Sequence, residues 1–181
     1  MPDDADIHPD GAVVRRLGAF QPRDDWDAAG WCRIERALEL VGTRSAMLLV
    51  RELFYGGSRF DELARRAGIS EAVAARRLRQ LLDDGIVTRV PYREPGKRTR
   101  EGYVLTDRGR ALFPLLVALA RWGDTLKEDY RTGLEFVHDR CGGALEATVR
   151  CSNGHDVPVD EAAVRLKDEE LALAYKAARE R

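Results

Sequence analysis

Apolar residues recur at helical spacing early in the chain and predict two helices, over residues 31–41 and 43–53. The second stretch is the more apolar of the two, which favours a central place in a core. Glycine follows each of them, at Gly42 and Gly56, and glycine is typical of the turns that end helices. The pattern therefore predicts a pair of consecutive helices joined by a short turn.

Residues 59–84 carry two further helical patterns with a tight turn between them. The first ends at Gly68, and Ser70 is a typical N-cap for the second, which runs to Asp84. Along the second helix we expect the larger apolar side chains to face inward and the arginines to face largely outward. The inward set is Val73, Leu78, Leu81 and Leu82, and the arginines are Arg76, Arg77 and Arg79. Two such helices are typical of a helix-turn-helix that enters the major groove of DNA.

The pattern changes to extended segments over residues 85–90 and 102–106, which predicts a β-hairpin. Thr106 is a candidate N-cap for a following helix, which Pro114 should kink or restart before it continues to about residue 130. This last helix carries an apolar stripe beyond the compact domain, so we expect it to pack against a second subunit. A helix-turn-helix followed by a hairpin predicts a winged helix-turn-helix.

The predicted fold class is α+β and mainly α: a winged helix-turn-helix domain with dimerisation helices and a small C-terminal β-hairpin or ribbon-like extension. Short strands are expected in that extension, at 134–138 and 148–151. The chain then divides into four segments. These are a mobile N-terminal arm (1–25), the winged domain with its C-terminal dimerisation helix (26–130), the ribbon-like β extension (131–160) and a C-terminal helix (161–181).

Charge is segregated along the chain, although the net charge of the whole is only −1. Residues 44–110 hold fifteen Lys and Arg against nine Asp and Glu, a net charge of +6, and the rest of the chain has a net charge of −7. A local positive field favours a nucleic-acid surface, because binding DNA releases counterions from the contacted phosphates. The alternative is that the arginine-rich helices are ordinary solvated faces.

Composition excludes other classes of protein. No apolar run approaches the roughly 18 residues that a membrane span needs, and the acidic N-terminus lacks a secretory pattern. Three cysteines without dense spacing favour a reducing compartment, so we expect a cytoplasmic protein. The central domain contains no histidine, nucleophile elbow or phosphate-binding glycine loop, so we expect no catalytic residues and no enzyme.

Over residues 32–124 the chain resembles the HxlR-type family of bacterial winged-helix regulators. The matching positions are Cys32, Gly42, 48–53, 57–63, Ile69, Ser70, Arg77, Leu78, Leu81, 85–87, 103–112 and 120–122. The resemblance implies a homodimeric, sequence-specific transcription factor, often autoregulatory, for which repression is the expected action. The chain departs from the family at Ser45, where a tryptophan is usual, and in a hairpin loop that is more basic than is common.

We expect the helix that follows Ser70 to enter the major groove and the hairpin loop to reach an adjacent minor groove. Arg76 and Arg79 are the best candidates for base edges, because an arginine fork matches guanine O6 and N7. The remaining candidate DNA contacts are Ser70, Glu71, Ala74 and Ala75 at the leading end of the helix, Arg77 along the backbone, Arg59 at a phosphate, and Lys97, Arg98 and Arg100 in the loop.

Cys32 matches the position where the resembled family sometimes carries a redox-sensitive cysteine. Arg33 and Arg36 are close in sequence and would favour its reactive thiolate form. The alternative is an inert, partly buried thiol.

Two His/Cys pairs in the extension have metal-ligand spacing. They are His138-x2-Cys141 and Cys151-x3-His155, and together they would supply the four ligands of one tetrahedral zinc. The pairs are looser than the Cys-x2-Cys doublets of strong zinc motifs. A metal-free hairpin and a Cys141–Cys151 disulfide are therefore the alternatives, and zinc is the one cofactor that the sequence leaves open.

The sequence thus predicts a dimeric DNA-binding transcriptional regulator and leaves open a response to a small molecule or a redox signal. A small-molecule effector is left open because the missing tryptophan at Ser45 and the extra C-terminal segment could together shape a pocket. The alternative function is a winged-helix protein-interaction module with a zinc-ribbon-like extension. Such a module would keep the core but would not need outward-facing arginines.

Overall fold

A computed structural model describes residues 12–20, 32–93, 96, 98–126, 134–170, 173 and 177. Internal contacts divide the chain into two units, residues 33–147 and residues 1–32 with 148–181. The helices are α1 (Arg33–Val41), α2 (Arg44–Phe54), α3 (Phe60–Arg66), α4 (Glu71–Asp83), α5 (Asp107–Arg110) and α6 (Phe113–Gly123). The strands are β1 (Arg15–Arg16), β2 (Val87–Tyr92), β3 (Arg100–Leu105) and β4 (Ala163–Val164).

Side-chain caps fix where the helices of the larger unit begin. The Thr43 hydroxyl accepts the Ala46 N–H at 3.2 Å at the start of α2, and Thr106 accepts the Gly109 N–H at 3.1 Å at the start of α5. Each hydroxyl satisfies one of the backbone donors that a helix leaves unpaired in its first turn. The predicted cap at Thr106 is confirmed, and Pro114 lies in the first turn of α6, so the helix ends and restarts there as predicted.

The core of this unit is built around α2. Leu49 and Val50 of α2, Leu63 of α3, and Leu78 and Leu81 of α4 are essentially free of solvent. The hairpin closes the core with Ile86, Val87 and Leu105. Because α2 contacts both helices of the helix-turn-helix, this apolar cluster fixes the position of α4.

The wing is an antiparallel hairpin whose register runs from Val87 opposite Leu105 to Tyr92 opposite Arg100. Its second strand is tied to the start of α3, because the Tyr103 N–H donates to the Ser58 carbonyl at 2.8 Å. The observed elements are those of a winged helix-turn-helix, so the predicted fold class is confirmed.

The smaller unit corrects two expectations about the ends of the chain. β1 pairs in parallel with β4, with Arg15 opposite Ala163, so the described part of the predicted mobile arm is hydrogen-bonded rather than free. The predicted helix over 161–181 starts later than expected, because a 3-10 turn over Val159–Glu161 and β4 come first. Helical backbone is described only from residue 169 onward. As domain boundaries, the four segments stay predictions.

The extension differs from the expected pair of strands. Within residues 134–147, one isolated bridge joins Val137 to Ala144. Within residues 148–181, another joins Arg150 to Asp156. Each bridge closes a tight turn within its own unit, and the segments 134–138 and 148–151 each contain one bridged residue instead of a continuous strand.

Candidate nucleic-acid interface

The turn between α3 and α4 is built by two residues that the sequence analysis selected. Gly68 has φ +62°, a left-handed conformation that costs glycine little and other residues more. The Ser70 hydroxyl then caps α4 by accepting the Val73 N–H at 3.4 Å. The turn brings the exposed leading end of α4, with Ser70 and Glu71, to the surface of the unit.

The outer surface of α4 carries Ala75, Arg76 and Arg79, all of which are exposed. Residues three and four apart lie on the same side of a helix, so these three side chains share one surface. We call Ser70, Glu71, Ala75, Arg76 and Arg79 the recognition face. Both arginines chosen as base-edge candidates lie on this face.

The prediction that Ala74 contacts DNA is wrong. Its exposed fraction is 0%, and it lies in the same buried stripe as Leu78 and Leu81. Spacings of four and seven residues put these three side chains on one side of the helix. Val73, which was expected to point inward, is only partly buried, because the inward stripe is shifted by one residue.

Arg77 is partly buried and hydrogen-bonded within the protein, and its predicted contact with the DNA backbone stays a prediction. Its Nε donates to the Ser45 hydroxyl at 3.2 Å, and its Nη1 donates to Gln80 Oε1 at 2.8 Å. The Gln80 amide in turn donates to the Glu39 carbonyl at 3.3 Å. Arg77 therefore connects α4 to the start of α2, and through Gln80 α4 also reaches the last turn of α1.

Arg59 lies at the N-cap of α3, and its guanidinium carbon is 5.2 Å from the centre of the Tyr92 ring. This cation–π contact links the helix-turn-helix to the wing. Tyr92 was not among the predicted site residues. The alternation of side-chain directions along β2 was the sequence signal that would have identified it.

In the wing, Arg98 and Arg100 are exposed, whereas Lys97 lies outside the described residues. Across the two strands, Arg89 pairs with Glu101 at 3.3 Å. The wing therefore presents two exposed basic groups near its tip, Arg98 and Arg100.

Comparison with models of known protein families identifies the family of this chain. The family model described as HxlR-like helix-turn-helix matches residues 40–130, a span that contains α2 to α6. The chain belongs to the HxlR-like helix-turn-helix family. The resemblance inferred from the sequence is therefore confirmed.

Several relatives and solved structures that are similar to this chain are described as regulators of transcription. An HTH-type transcriptional regulator of Mycobacterium tuberculosis, Rv3095, is 39% identical over 121 residues, which covers 66% of this chain and 75% of the relative. YdeP, an HTH-type transcriptional regulator of Bacillus subtilis, is 29% identical over 115 residues, which covers 63% of this chain and 86% of the relative. The solved structure of PA1607, described as a candidate transcription factor, has a TM-score of 0.67 at 32% identity and covers 78% of this chain and 98% of its own.

Ser45, the departure from the HxlR-type pattern, has a clear structural role. It is partly buried and accepts the Arg77 hydrogen bond described above. Its Oγ also lies 3.4 Å from the hydroxyl of Thr43, the α2 cap. A polar contact between α2 and α4 thus occupies this position.

Cys32 is partly buried and is a free thiol immediately before α1. Its redox role stays a prediction.

In the described ranges every helix is too short or too polar to span a bilayer.

Each histidine of the candidate zinc cluster lies beside the cysteine of its own pair. His138 Nδ1 is 3.0 Å from Cys141 Sγ, and His155 Nδ1 is 3.6 Å from Cys151 Sγ. Both cysteines are free thiols. Across the described part of the chain, no three His, Cys, Asp or Glu side chains are grouped as a metal site.

A zinc site that uses all four residues stays a prediction, and metal analysis of the purified protein tests it. About one equivalent of zinc per chain, with loss of C-terminal structure on chelation, would support the site. A metal-free preparation would reject it.

Proposed function

We propose that this HxlR-like protein is a homodimeric regulator that binds specific DNA sequences in the cytoplasm and represses transcription. The observation that carries the proposal is the exposed pair Arg76 and Arg79 on α4, the second helix of a helix-turn-helix. An arginine directed into the major groove donates two hydrogen bonds to guanine, which distinguishes it from the other bases.

The surroundings of that pair support DNA rather than protein as the partner. The leading end of α4 is exposed, and although the Ser70 hydroxyl accepts the Val73 N–H, a helix leaves other N–H groups of its first turn without an intrahelical partner. Those N–H groups can bind phosphates. Arg59 and the wing arginines, Arg98 and Arg100, lie on the elements that flank α4. A protein-interaction module would not require this concentration of arginine.

Exposed apolar side chains on two helices support the homodimer. On α1, Ile34 and Leu38 are 71% and 58% exposed, and on α6 Trp122 is 62% exposed. Large apolar groups at this exposure mark a surface that a partner covers. A twofold dimer would present two copies of α4 to the two halves of a palindromic site.

Repression follows from simple geometry on DNA, because a dimer bound across a promoter excludes RNA polymerase. No catalytic chemistry is required for that action. The relatives' description as transcriptional regulators supports this class of function.

The experiment that tests the proposal is a selection of binding sites from random duplex DNA, followed by titration at several salt concentrations. We expect a near-palindromic motif and an affinity that falls steeply with salt. Recovery of no motif, together with weak and salt-sensitive binding, would contradict a sequence-specific regulator and favour the protein-interaction module.

Arg76→Ala gives the sharper test on the selected motif. We expect it to weaken binding by about 1–3 kcal/mol, or about 5- to 150-fold, and to relax the preference at one position of each half-site. Arg140→Ala, which removes an exposed arginine far from α4 in the chain, is the matched control and should bind as the unmodified protein does. An unchanged base preference in Arg76→Ala would remove that residue from the recognition face.

A further inference from the structure

The wing packs closely against the residues that precede α3. A Cβ added at Gly102 of β3 would lie 3.2 Å from the Ser58 carbonyl oxygen and 3.4 Å from Cδ1 of Tyr92. The next residue of the strand, Tyr103, donates its N–H to the same carbonyl at 2.8 Å. The backbone at Ser58 is therefore held against the hairpin, and Arg59 follows it directly in the chain.

Tyr92 has a basic group on each of two sides. The Arg59 guanidinium carbon lies over its ring, 5.2 Å from the centre and within the roughly 6 Å range of a cation–π contact. Across the hairpin its partner is Arg100. Directly opposite residues of an antiparallel pair project from the same face of the hairpin. An anion bound beside this ring would therefore be attracted by both arginines.

The described part of the wing contains one carboxylate, and that group lies on the other face. Side-chain directions alternate along a strand, so Glu101 projects away from the face that carries Arg100 and Tyr92. Glu101 pairs instead with Arg89 at 3.3 Å. The carboxylate of the described strands thus does not neutralise the face that carries Tyr92.

Helix formation does not explain an arginine at residue 59. Arg59 is the N-cap of α3, but it makes no side-chain cap hydrogen bond, and the N-cap favours the short side chains of Ser, Thr, Asp and Asn. A positive charge beside the positive end of the helix dipole is also unfavourable. Because Arg59 is exposed, burial does not explain it either. Its contact with the ring of Tyr92 requires a different account.

We propose that Tyr92 is a positioning residue, whose ring holds the Arg59 guanidinium where it binds a DNA phosphate beside the wing. A ring face attracts a cation without accepting a conventional hydrogen bond, so this contact does not consume the N–H donors with which arginine binds phosphate. Holding a long side chain in place before DNA arrives also reduces the conformational entropy lost on binding. This inference rests on the proposed function.

The test measures how the DNA affinity of the full-length protein depends on salt, both for the selected motif and for a duplex of random sequence. The slope of log affinity against log salt concentration reports phosphate contacts, at about 0.9 for each contact with B-DNA. The variants are Arg59→Ala, Tyr92→Leu, Tyr92→Phe and the double variant Arg59→Ala with Tyr92→Leu. Tyr103→Leu is the matched control, because Tyr103 is also a half-buried tyrosine of the hairpin but packs against the core cluster.

We expect Arg59→Ala to reduce the magnitude of the slope by about one for each bound subunit and to weaken all sequences about equally. Tyr92→Leu should lose more than half of the same slope, because Arg59 is then no longer held in place. Tyr92→Phe keeps the ring, so its slope should match that of the unmodified protein, as should the slope of Tyr103→Leu. The double variant should bind as Arg59→Ala does, since Tyr92 acts through Arg59.

Three results would overturn the positioning role. The first is an unchanged slope in Tyr92→Leu while Arg59→Ala loses slope. The second is a Tyr92→Phe variant that loses as much slope as Tyr92→Leu, because the hydroxyl group and not the ring would then carry the effect. The third is a double variant whose losses are the sum of the single ones. An unchanged slope in Arg59→Ala would overturn the phosphate contact itself.

Nuclear magnetic resonance tests the contact without DNA. The ring current of Tyr92 should shift the side-chain protons of Arg59 upfield in the unmodified protein and in Tyr92→Phe, and the shift should be lost in Tyr92→Leu. Absence of the shift in the unmodified protein would overturn the contact. Urea denaturation checks that each variant is folded. If Tyr92→Leu is less stable than Tyr103→Leu, Tyr92→Thr replaces it, because a β-branched residue suits a strand.

The two proposals fail separately. If the unmodified protein selects no motif, the sequence-specific regulator is wrong, and the slopes on random duplex still decide the role of Tyr92, because phosphate contacts do not depend on sequence. If a motif is selected and Tyr92→Leu keeps the full slope, the positioning role alone is overturned.

Discussion

Two adjacent arginines on α4 have different surroundings and hence different roles. Arg76 is exposed on the recognition face, whereas Arg77 is partly buried and bonded to Ser45 and Gln80. A single step along a helix turns a side chain by about 100°, so neighbouring residues of the same type can face DNA and core respectively.

Arg77→Ala should therefore lower stability without changing base preference. Loss of its two side-chain hydrogen bonds is expected to reduce the free energy of unfolding by about 1–2 kcal/mol, as measured by urea denaturation. Arg76→Ala should change stability by less than about 0.5 kcal/mol. A narrowed or shifted binding motif in Arg77→Ala, at unchanged stability, would contradict this division of roles.

At the scale of elements, the junction between the wing and α5 depends on a close backbone approach. A Cβ added at Gly109 would lie 2.2 Å from the Ile86 carbonyl oxygen and 2.9 Å from a Leu105 methyl carbon. Thr106 reinforces the same junction, because its hydroxyl donates to the Gly85 carbonyl at 2.7 Å. Only glycine lets α5 pack this tightly against the hairpin.

Gly109→Ala should lower the free energy of unfolding by about 1–3 kcal/mol, because the new methyl group forces α5 away from the hairpin. Gly123→Ala is the control, since a Cβ there would meet no atom within 4 Å. We expect that variant to be unchanged or more stable by up to about 1 kcal/mol. Equal midpoints of urea denaturation for the two variants would show that the junction adapts.

The elements of the winged unit could be predicted from local pattern, and the exceptions have physical causes. The predicted ends of α2 and α4 lie within one residue of the observed ends, because caps and helical spacing are local signals. Ala74 was misplaced because it was chosen as a small residue at the leading end of the helix, and a small side chain does not by itself report the phase of the buried stripe. The Arg77–Ser45 bond joins residues 32 positions apart, and no local pattern reports such a partner.

At the scale of the molecule, the proposed homodimer places its interface on the exposed apolar groups of α1 and α6. Trp122→Glu should raise the dimer dissociation constant at least about tenfold, because a charge would replace an aromatic anchor of the interface. Val137→Glu is the control, because Val137 is 46% exposed and lies on neither of these helices. We expect it to leave the dimer dissociation constant unchanged. Sedimentation velocity over a range of concentrations measures the dissociation constant of both variants. An unchanged dissociation constant in Trp122→Glu would contradict the proposed interface.

The pairing of β1 with β4 has a consequence for biosynthesis. The Ala19 N–H bonds a Glu169 oxygen 150 residues later, and Arg15 pairs with Ala163. At translation rates of about 5–20 residues per second, the first strand waits roughly 7–30 s for its partner. The helix-turn-helix and wing are complete in sequence before that time, so the winged unit is expected to begin folding on the ribosome before the strand pair can form.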